Sequence, residues 1–273
     1  MYTFLVKRSG PRSATDTSRL RVFRGSEKPS IRITNFIGFL VIGAVWQFAA
    51  HIRASPVLPS LGGILWTAIN LLPDKAFTRH IGASLKLIFF GTGMAAAAGF
   101  TIGLLVFRYD WIKDAFVPVI ECVRGIASLT LFPLLIIVFG LSIFSRAFII
   151  FWTAWPAVML STLHSLDIDR NVVDAARTCG AGEWKIITHI RIPMAMRGII
   201  TGVRIGIGGG WVSLITAEML GASKGLGYYL LWCSQSFEFR KVYAVILIIA
   251  AIGGTMNYGL LRLQRMAIQI SGE

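Results

Sequence analysis

Apolar residues in this chain come in long unbroken runs rather than in alternation. They occupy 33–50, 85–107, 116–140, 147–163, 198–217 and 242–261. About 20 apolar residues in helical form cross the hydrocarbon core of a bilayer. The pattern therefore predicts an all-α integral membrane protein with about six transmembrane helices. The third run is the least regular, because Glu121 and Arg124 interrupt it and Pro118 and Pro133 blur its ends. Residues 57–72 are too short and too broken, by Pro59 and the Gly62-Gly63 pair, to span. They suit an amphipathic helix lying on the outer membrane surface.

Two runs carry small residues at every fourth position: Gly91, Ala95, Gly99 and Gly103 in the second, and Gly198, Gly202, Gly206 and Gly210 in the fifth. Residues four apart share a helix face, so each run presents a smooth stripe to which another backbone can come close. Two readings stay open. The stripes serve packing within one subunit, or the fifth run packs in a moving core or a dimer seam. The extra Gly208 and Gly209 loosen that helix.

Composition agrees with the bilayer as solvent. Of 273 residues, 55% are hydrophobic and only 15% charged, and the mean hydropathy is +0.69. The formal charge of +14 does not imply nucleic acid, because the basic residues sit in a tail and in short loops. Lys7, Arg8, Arg12, Arg19, Arg21, Arg24, Lys28 and Arg32 precede the first run. Arg170, Arg177, Lys185, Arg191 and Arg197 lie between the fourth and fifth, and Arg262 and Arg265 follow the last. With alternating spans these fall on one side, which places both termini in the cytoplasm.

The expected organisation is a basic cytoplasmic tail at 1–32, a transmembrane domain at 33–265 with a cytoplasmic loop at about 164–197, and a short cytoplasmic tail at 266–273. Residues before 33 show no cleavable signal pattern, so the first span is expected to act as an uncleaved insertion signal. Cys122, Cys179 and Cys233, like His51, His80, His164 and His189, lack ligand or redox spacing, and no metal site is expected. Trp46, Trp111, Trp152, Trp155, Trp211 and Trp232 fall mostly near span ends, as interfacial anchors do.

The long loop carries the most specific signal. Asp169 suits a helix N-cap. Val172, Ala175, Ala176 and Cys179 follow at three- and four-residue spacing and form one small apolar face. Gly180 suits the stop. A second short helix is expected from Gly182, ending before Pro193. An apolar ridge outside the membrane needs a partner, and a small one suits a groove on another protein.

At this point a resemblance emerges. Asp174-Ala175-Ala176, three residues, Gly180, nine residues, then Ile190, one residue, Ile192-Pro193 resembles the EAA loop of binding-protein-dependent ABC importer permeases. Asp stands here for the usual Glu, and Ile for Leu. The similarity continues from about Pro56 to the C-terminus. Ser84-Leu85-Lys86 with Gly91, Pro118 to Arg124, Phe132-Pro133-Leu134, Phe139-Gly140-Leu141, Gly202 to Gly206, Trp211, Ala217 to Gly221 and Lys224 to Gly227 resemble the sulfonate/nitrate/taurine branch. Gly125-Ile-Ala-Ser128 departs from it, since that branch places prolines there.

The resemblance implies a type I ABC importer permease-like core in a bacterial-type inner membrane. It implies a homodimer forming the channel, and two ATPase subunits that bind the EAA loops and use ATP and Mg. It also implies a periplasmic or lipid-anchored binding protein that delivers solute. Asp174, Ala175, Ala176, Gly180, Ile190 and Pro193 would form the coupling loop. This chain lacks a Gly-x-x-x-x-Gly-Lys-Ser/Thr phosphate loop; the glycine-rich 221–227 has its lysine misplaced. ATP chemistry is therefore expected in other subunits and not in this chain.

Charges inside the runs are the remaining candidates, because a charge near the bilayer centre costs about 2.5–3.5 kcal/mol on insertion scales and usually faces protein or water. Arg124, Arg204 and Glu218 are the candidates for the translocation path. Each has a bland alternative: Glu121 neutralising Arg124 on one helix, Arg204 snorkelling or bracing a helix, and Glu218 sitting at an interface. The branch implies a small anion such as a sulfonate, nitrate, taurine or bicarbonate, although some relatives move heterocycles. A secondary transporter without an ATPase and a membrane-embedded enzyme are the alternative functions.

Overall fold

The computed structural model describes residues 30–53 and 57–270, and its described residues form helices and turns with no strand. Most of the basic tail expected at 1–32 lies outside them. α1 is a continuous helix, Ser30–Arg53, over the first predicted run. The rest belongs to a compact unit of residues 47–273.

That unit starts with α2, Leu61–Leu71, capped by Ser60, whose hydroxyl accepts from the Gly63 amide. Ile64, Ala68 and Leu71 face inward against α11, Phe239–Ile270. Leu65, Trp66 and Ile69 face outward, so α2 is apolar on both faces. α3, Lys75–Arg108, opens on an Asp74 cap. α4, Asp110–Arg124, and α5, Phe132–Phe139, follow, and then α6, Ile143–Leu166.

Four runs of helix among the described residues are long and apolar enough to cross a membrane: Lys75–Arg108, Ile143–Leu166, Glu183–Gly221 and Phe239–Met266. The pair α4 and α5 makes a fifth if it counts as one span. The expected sixth falls on α1, where the apolar stretch described is Leu40–Ile52.

The third predicted run is corrected. Residues 116–140 are not one helix: the chain turns by 83° between α4 and α5. Gly125 ends α4, a short 3-10 turn covers Ser128–Leu131, and Pro133 sits in the first turn of α5. Proline is tolerated at a helix start, where its missing N–H has no partner to lose. Hydroxyls anchor the bend. Ser128 Oγ lies 3.1 Å from Ser213 Oγ, which lies 3.0 Å from Thr153 Oγ1 on α6.

α6 is the axis of the unit, with more of its apolar stretch buried than any other span. Both glycine stripes press on it. A Cβ on Gly91 would stand 2.8 Å from Ile150 Cβ, one on Gly99 would stand 2.7 Å from the Trp155 carbonyl oxygen, and one on Gly103 would stand 3.0 Å from that of Met159. On the other side α9, Ile192–Gly221, sets Gly198 against Ser165, Gly202 against Ser161 and Gly206 against Ala154. α6 thus answers with its own small stripe of Ala154, Ala157, Ser161 and Ser165. Both stripes serve packing inside one chain.

This packing has a selective consequence. Gly99→Ala should lower the thermal midpoint of the detergent-solubilised protein by the equivalent of about 1–3 kcal/mol of overpacking. Gly93→Ala on the same helix, where a Cβ meets nothing within 4 Å, should be neutral or gain up to about 1 kcal/mol of helix propensity.

Candidate functional site

The loop after α6 folds as its residues dictate. Asp169 caps α7, Arg170–Thr178, by accepting from the Asn171 amide at 3.0 Å. At the other end Gly180 adopts φ +81°. The Gly180 amide donates to the Arg177 carbonyl at 2.9 Å and the Ala181 amide to the Ala176 carbonyl at 3.0 Å. That pair of bonds is a Schellman stop, which glycine accommodates without a Cβ clash. Arg177 braces the turn, 2.7 Å from Glu183 and 3.5 Å from Asp174. The hydrogen bond and charge of Glu183, joined by Asp174, push the Arg177 guanidinium above its usual range.

Val173 turns inward and is buried, while Val172, Asp174, Ala175 and Cys179 are exposed and Ala176 is half-buried. The small apolar face therefore points away from the body of the protein. Trp184, 71% exposed, stands beyond the Gly180 turn.

The second short helix does not stop before Pro193. α8, Glu183–Ile186, passes through a π-turn at Ile187–Arg191 directly into α9, so Glu183–Gly221 is one helical run of 39 residues. The wider π-turn sits just where Pro193 withdraws a backbone donor and crowds the preceding turn. Ile190 is half-buried and Pro193 exposed on this rod. Arg191, legible in the sequence only as a loop charge, locks the base of the rod. Its Nη1 donates to the Leu166 carbonyl at the end of α6, at 2.7 Å, and its guanidinium lies 4.8 Å from the centre of the Phe107 ring.

The charged residues of the spans meet three different surroundings. Glu121 and Arg124 pair with each other at 3.2 Å and are both exposed. Arg204 is half-buried beside a cavity of about 210 Å³ and has no ion-pair partner among the described residues.

Glu218 is 1% exposed. Its carboxylate accepts from Ser84 Oγ, at 2.7 and 2.9 Å, and from the Gly227 amide at 2.9 Å. The Leu226 amide donates to Ser84 Oγ at 2.9 Å, and the Gly225 amide to His80 Nδ1 at 3.1 Å. The first amides of α10, Leu226–Gln235, are thus capped by side chains of α3 and α9, and a negative charge sits at a helix N-terminus, where it is favoured. The glycines make this possible. A Cβ on Gly225, which has φ +129°, would collide with the Glu218 carboxylate, and one on Gly227 with the Ile215 carbonyl.

Residues 88–267 match the model of the family described as binding-protein-dependent transport system inner membrane components. The chain belongs to that family. It is the membrane-spanning permease of an ABC importer, and neither the secondary-transporter nor the enzyme reading is retained. Among its relatives is the taurine transport system permease protein of Escherichia coli strain K12, 29% identical over 253 residues, covering 89% of this chain and 92% of the relative. Another is the formylaminopyrimidine transport permease protein of Halalkalibacterium halodurans, 26% identical over 217 residues, covering 79% and 86%. The fold is like that of a chain of the MetNI methionine ABC transporter in an inward-facing conformation, with a TM-score of 0.60 at 15% identity over 70% of this chain and 95% of that one.

In this permease Asp174, Ala175, Ala176 and Gly180 lie on α7 and its closing turn and Ile190 and Pro193 on the rod that follows, whereas Arg124, Arg204 and Glu218 each have separate surroundings. The Glu218 clamp was not legible in the sequence, though the spacing of Gly225 and Gly227 around a turn was its visible trace. Glu218→Gln should destabilise the permease by about 1–3 kcal/mol, since a charge-assisted cap is lost while shape is kept. Combined with Ser84→Ala, the two losses should fall short of their sum, because both act on one network. Thermal denaturation of the single and double variants checks this.

Proposed function

We propose that two copies of this permease form the translocation path of a bacterial inner-membrane importer for a small anionic solute. Separate ATPase subunits, which use ATP and Mg, drive it through α7. A periplasmic or lipid-anchored binding protein delivers the solute from the other side. The basic loops and tails support a cytoplasmic position for both termini and for α7.

One observation carries the coupling reading: Val172, Ala175 and Cys179 form an exposed small-residue ridge on a helix that is fixed at both ends. The ridge suits a groove on an ATPase, with Asp174, Ala176 and Gly180 setting its shape and Ile190 and Pro193 lying on the rod that leaves it. Closure of the ATPases would displace α7. The Gly180 turn and the Glu183–Gly221 rod would carry that displacement to the glycine seam against α6.

The solute reading rests on charge. Of the three residues assigned to the path, Arg204 has the surroundings that suit it. Arg124 is spent on Glu121, and Glu218 on Ser84 and Gly227. The taurine relative supports an anion, and the formylaminopyrimidine relative supports the view that related permeases serve different solutes.

The test is co-purification of the tagged permease with the ATPases of its native membranes. Ala175→Glu, an exposed change, and Gly180→Val, which forces a β-branched residue into the left-handed region, should each weaken ATPase retention by at least about tenfold while the chain stays inserted. Retention equal to wild type in both variants would refute the coupling assignment.

A further inference from the structure

The cavity of about 210 Å³ between α9 and α11 is lined by Arg204, Ile207, Trp211, Gly253, Met256 and Asn257. Its size is below the roughly 300 Å³ at which pockets for drug-sized ligands begin. Arg204 contributes a charge it cannot lose and five N–H donors. Asn257 adds an amide and Trp211 an indole N–H. No carboxylate lines the space.

Arg204 lies six residues into the apolar run 198–217, about 9 Å from its N-terminal end at 1.5 Å per residue. A guanidinium at that depth with no ion-pair partner among the described residues needs an anion or water beside it. Ile207 and Met256 supply an apolar wall. Two glycines shape the space. A Cβ on Gly253 would stand 3.0 Å from Trp211 Nε1, so this glycine admits the indole. Gly208 also lines the cavity, and its Cβ would meet nothing within 4 Å. Below the cavity, Gln264 Nε2 on α11 donates to Thr201 Oγ1 on α9 at 2.7 Å, which ties the two walls together.

We propose that Arg204, Asn257 and Trp211 form a solute site within a single protomer, in which Arg204 and Asn257 hold the oxyanion head of a small sulfonate or carboxylate and Ile207, Trp211 and Met256 face its body. The proposal deepens the importer reading and rests on it. A phospholipid headgroup presents the same anionic oxygens, so the test separates the two sources.

The full-length chain is reconstituted in phosphatidylcholine nanodiscs without ATPases. Binding of radiolabelled 2-aminoethanesulfonate is measured, with ethanesulfonate and propionate as competitors. Wild type should bind, and both competitors should displace the label. Arg204→Gln should weaken binding at least about tenfold, as the loss of a charged contact does. Gly208→Leu should do the same by filling the cavity, and Asn257→Ala should cost about three- to tenfold. Lys86→Gln, another change of charge in a span, should bind as wild type does.

Wild-type affinity in both Arg204→Gln and Gly208→Leu would overturn the site, as would absence of binding by all three probes in wild type. If phosphatidylglycerol co-purifies with wild type, is lost in Arg204→Gln and blocks the label, the ligand is a lipid headgroup and the solute site is refuted. Because no ATPase is present, failure here leaves the α7 coupling reading standing, and failure of ATPase retention leaves this binding result intact.

Discussion

The contact of backbone on backbone along α6 holds the permease together. In a bilayer the lipid tails are as apolar as a leucine side chain, so burying apolar surface gives little reason for helices to associate. Close van der Waals contact supplies the reason instead, and it needs helices without intervening side chains. Gly91, Gly99 and Gly103 bring α3 against one side of α6, and Gly198, Gly202 and Gly206 bring α9 against the other. The loop that follows α6 and the rod that contains α9 are therefore referred to the same axis.

Polar groups inside this apolar frame are resolved in distinct ways. Glu218 is dehydrated but satisfied, because the start of α10 turns its amides toward α3 and α9. This fastens three helices with one carboxylate. Glu121 and Arg124 neutralise each other on an exposed helix face, an arrangement worth little in stability. Arg204 is left with a cavity instead of a carboxylate. What separates these charges is whether their neighbours already supply the opposite partner.

The end of the molecule that holds α7 is fixed by local hydrogen bonds and ion pairs. α7 is capped by Asp169, closed by Gly180 and braced by Arg177. Arg191 ties the rod to the last carbonyl turn of α6 and to the Phe107 ring of α3. A displacement of α7 therefore meets few soft joints before it reaches the seam between α6 and α9.

Much of this was legible in the sequence because it depends on local rules. Run length gave four of the spans, four-residue spacing gave the glycine stripes, and Asp169 and Gly180 marked the limits of α7. Pro193 misled because its local cost was absorbed by a π-turn, a choice that the packing of Arg191 on Leu166 and Phe107 makes favourable. The bend between α4 and α5 is anchored by the hydroxyl contact of Ser128 to Ser213, far away in sequence, which in turn meets Thr153. The partners of Glu218 and the lack of an ion-pair partner for Arg204 among the described residues were likewise beyond sequence reading. Periodicity tells which face a residue shares with its neighbours along one helix. Only the packing of α3, α9, α10 and α11 against one another decides whether a charge on that face finds a donor, an acid or a cavity.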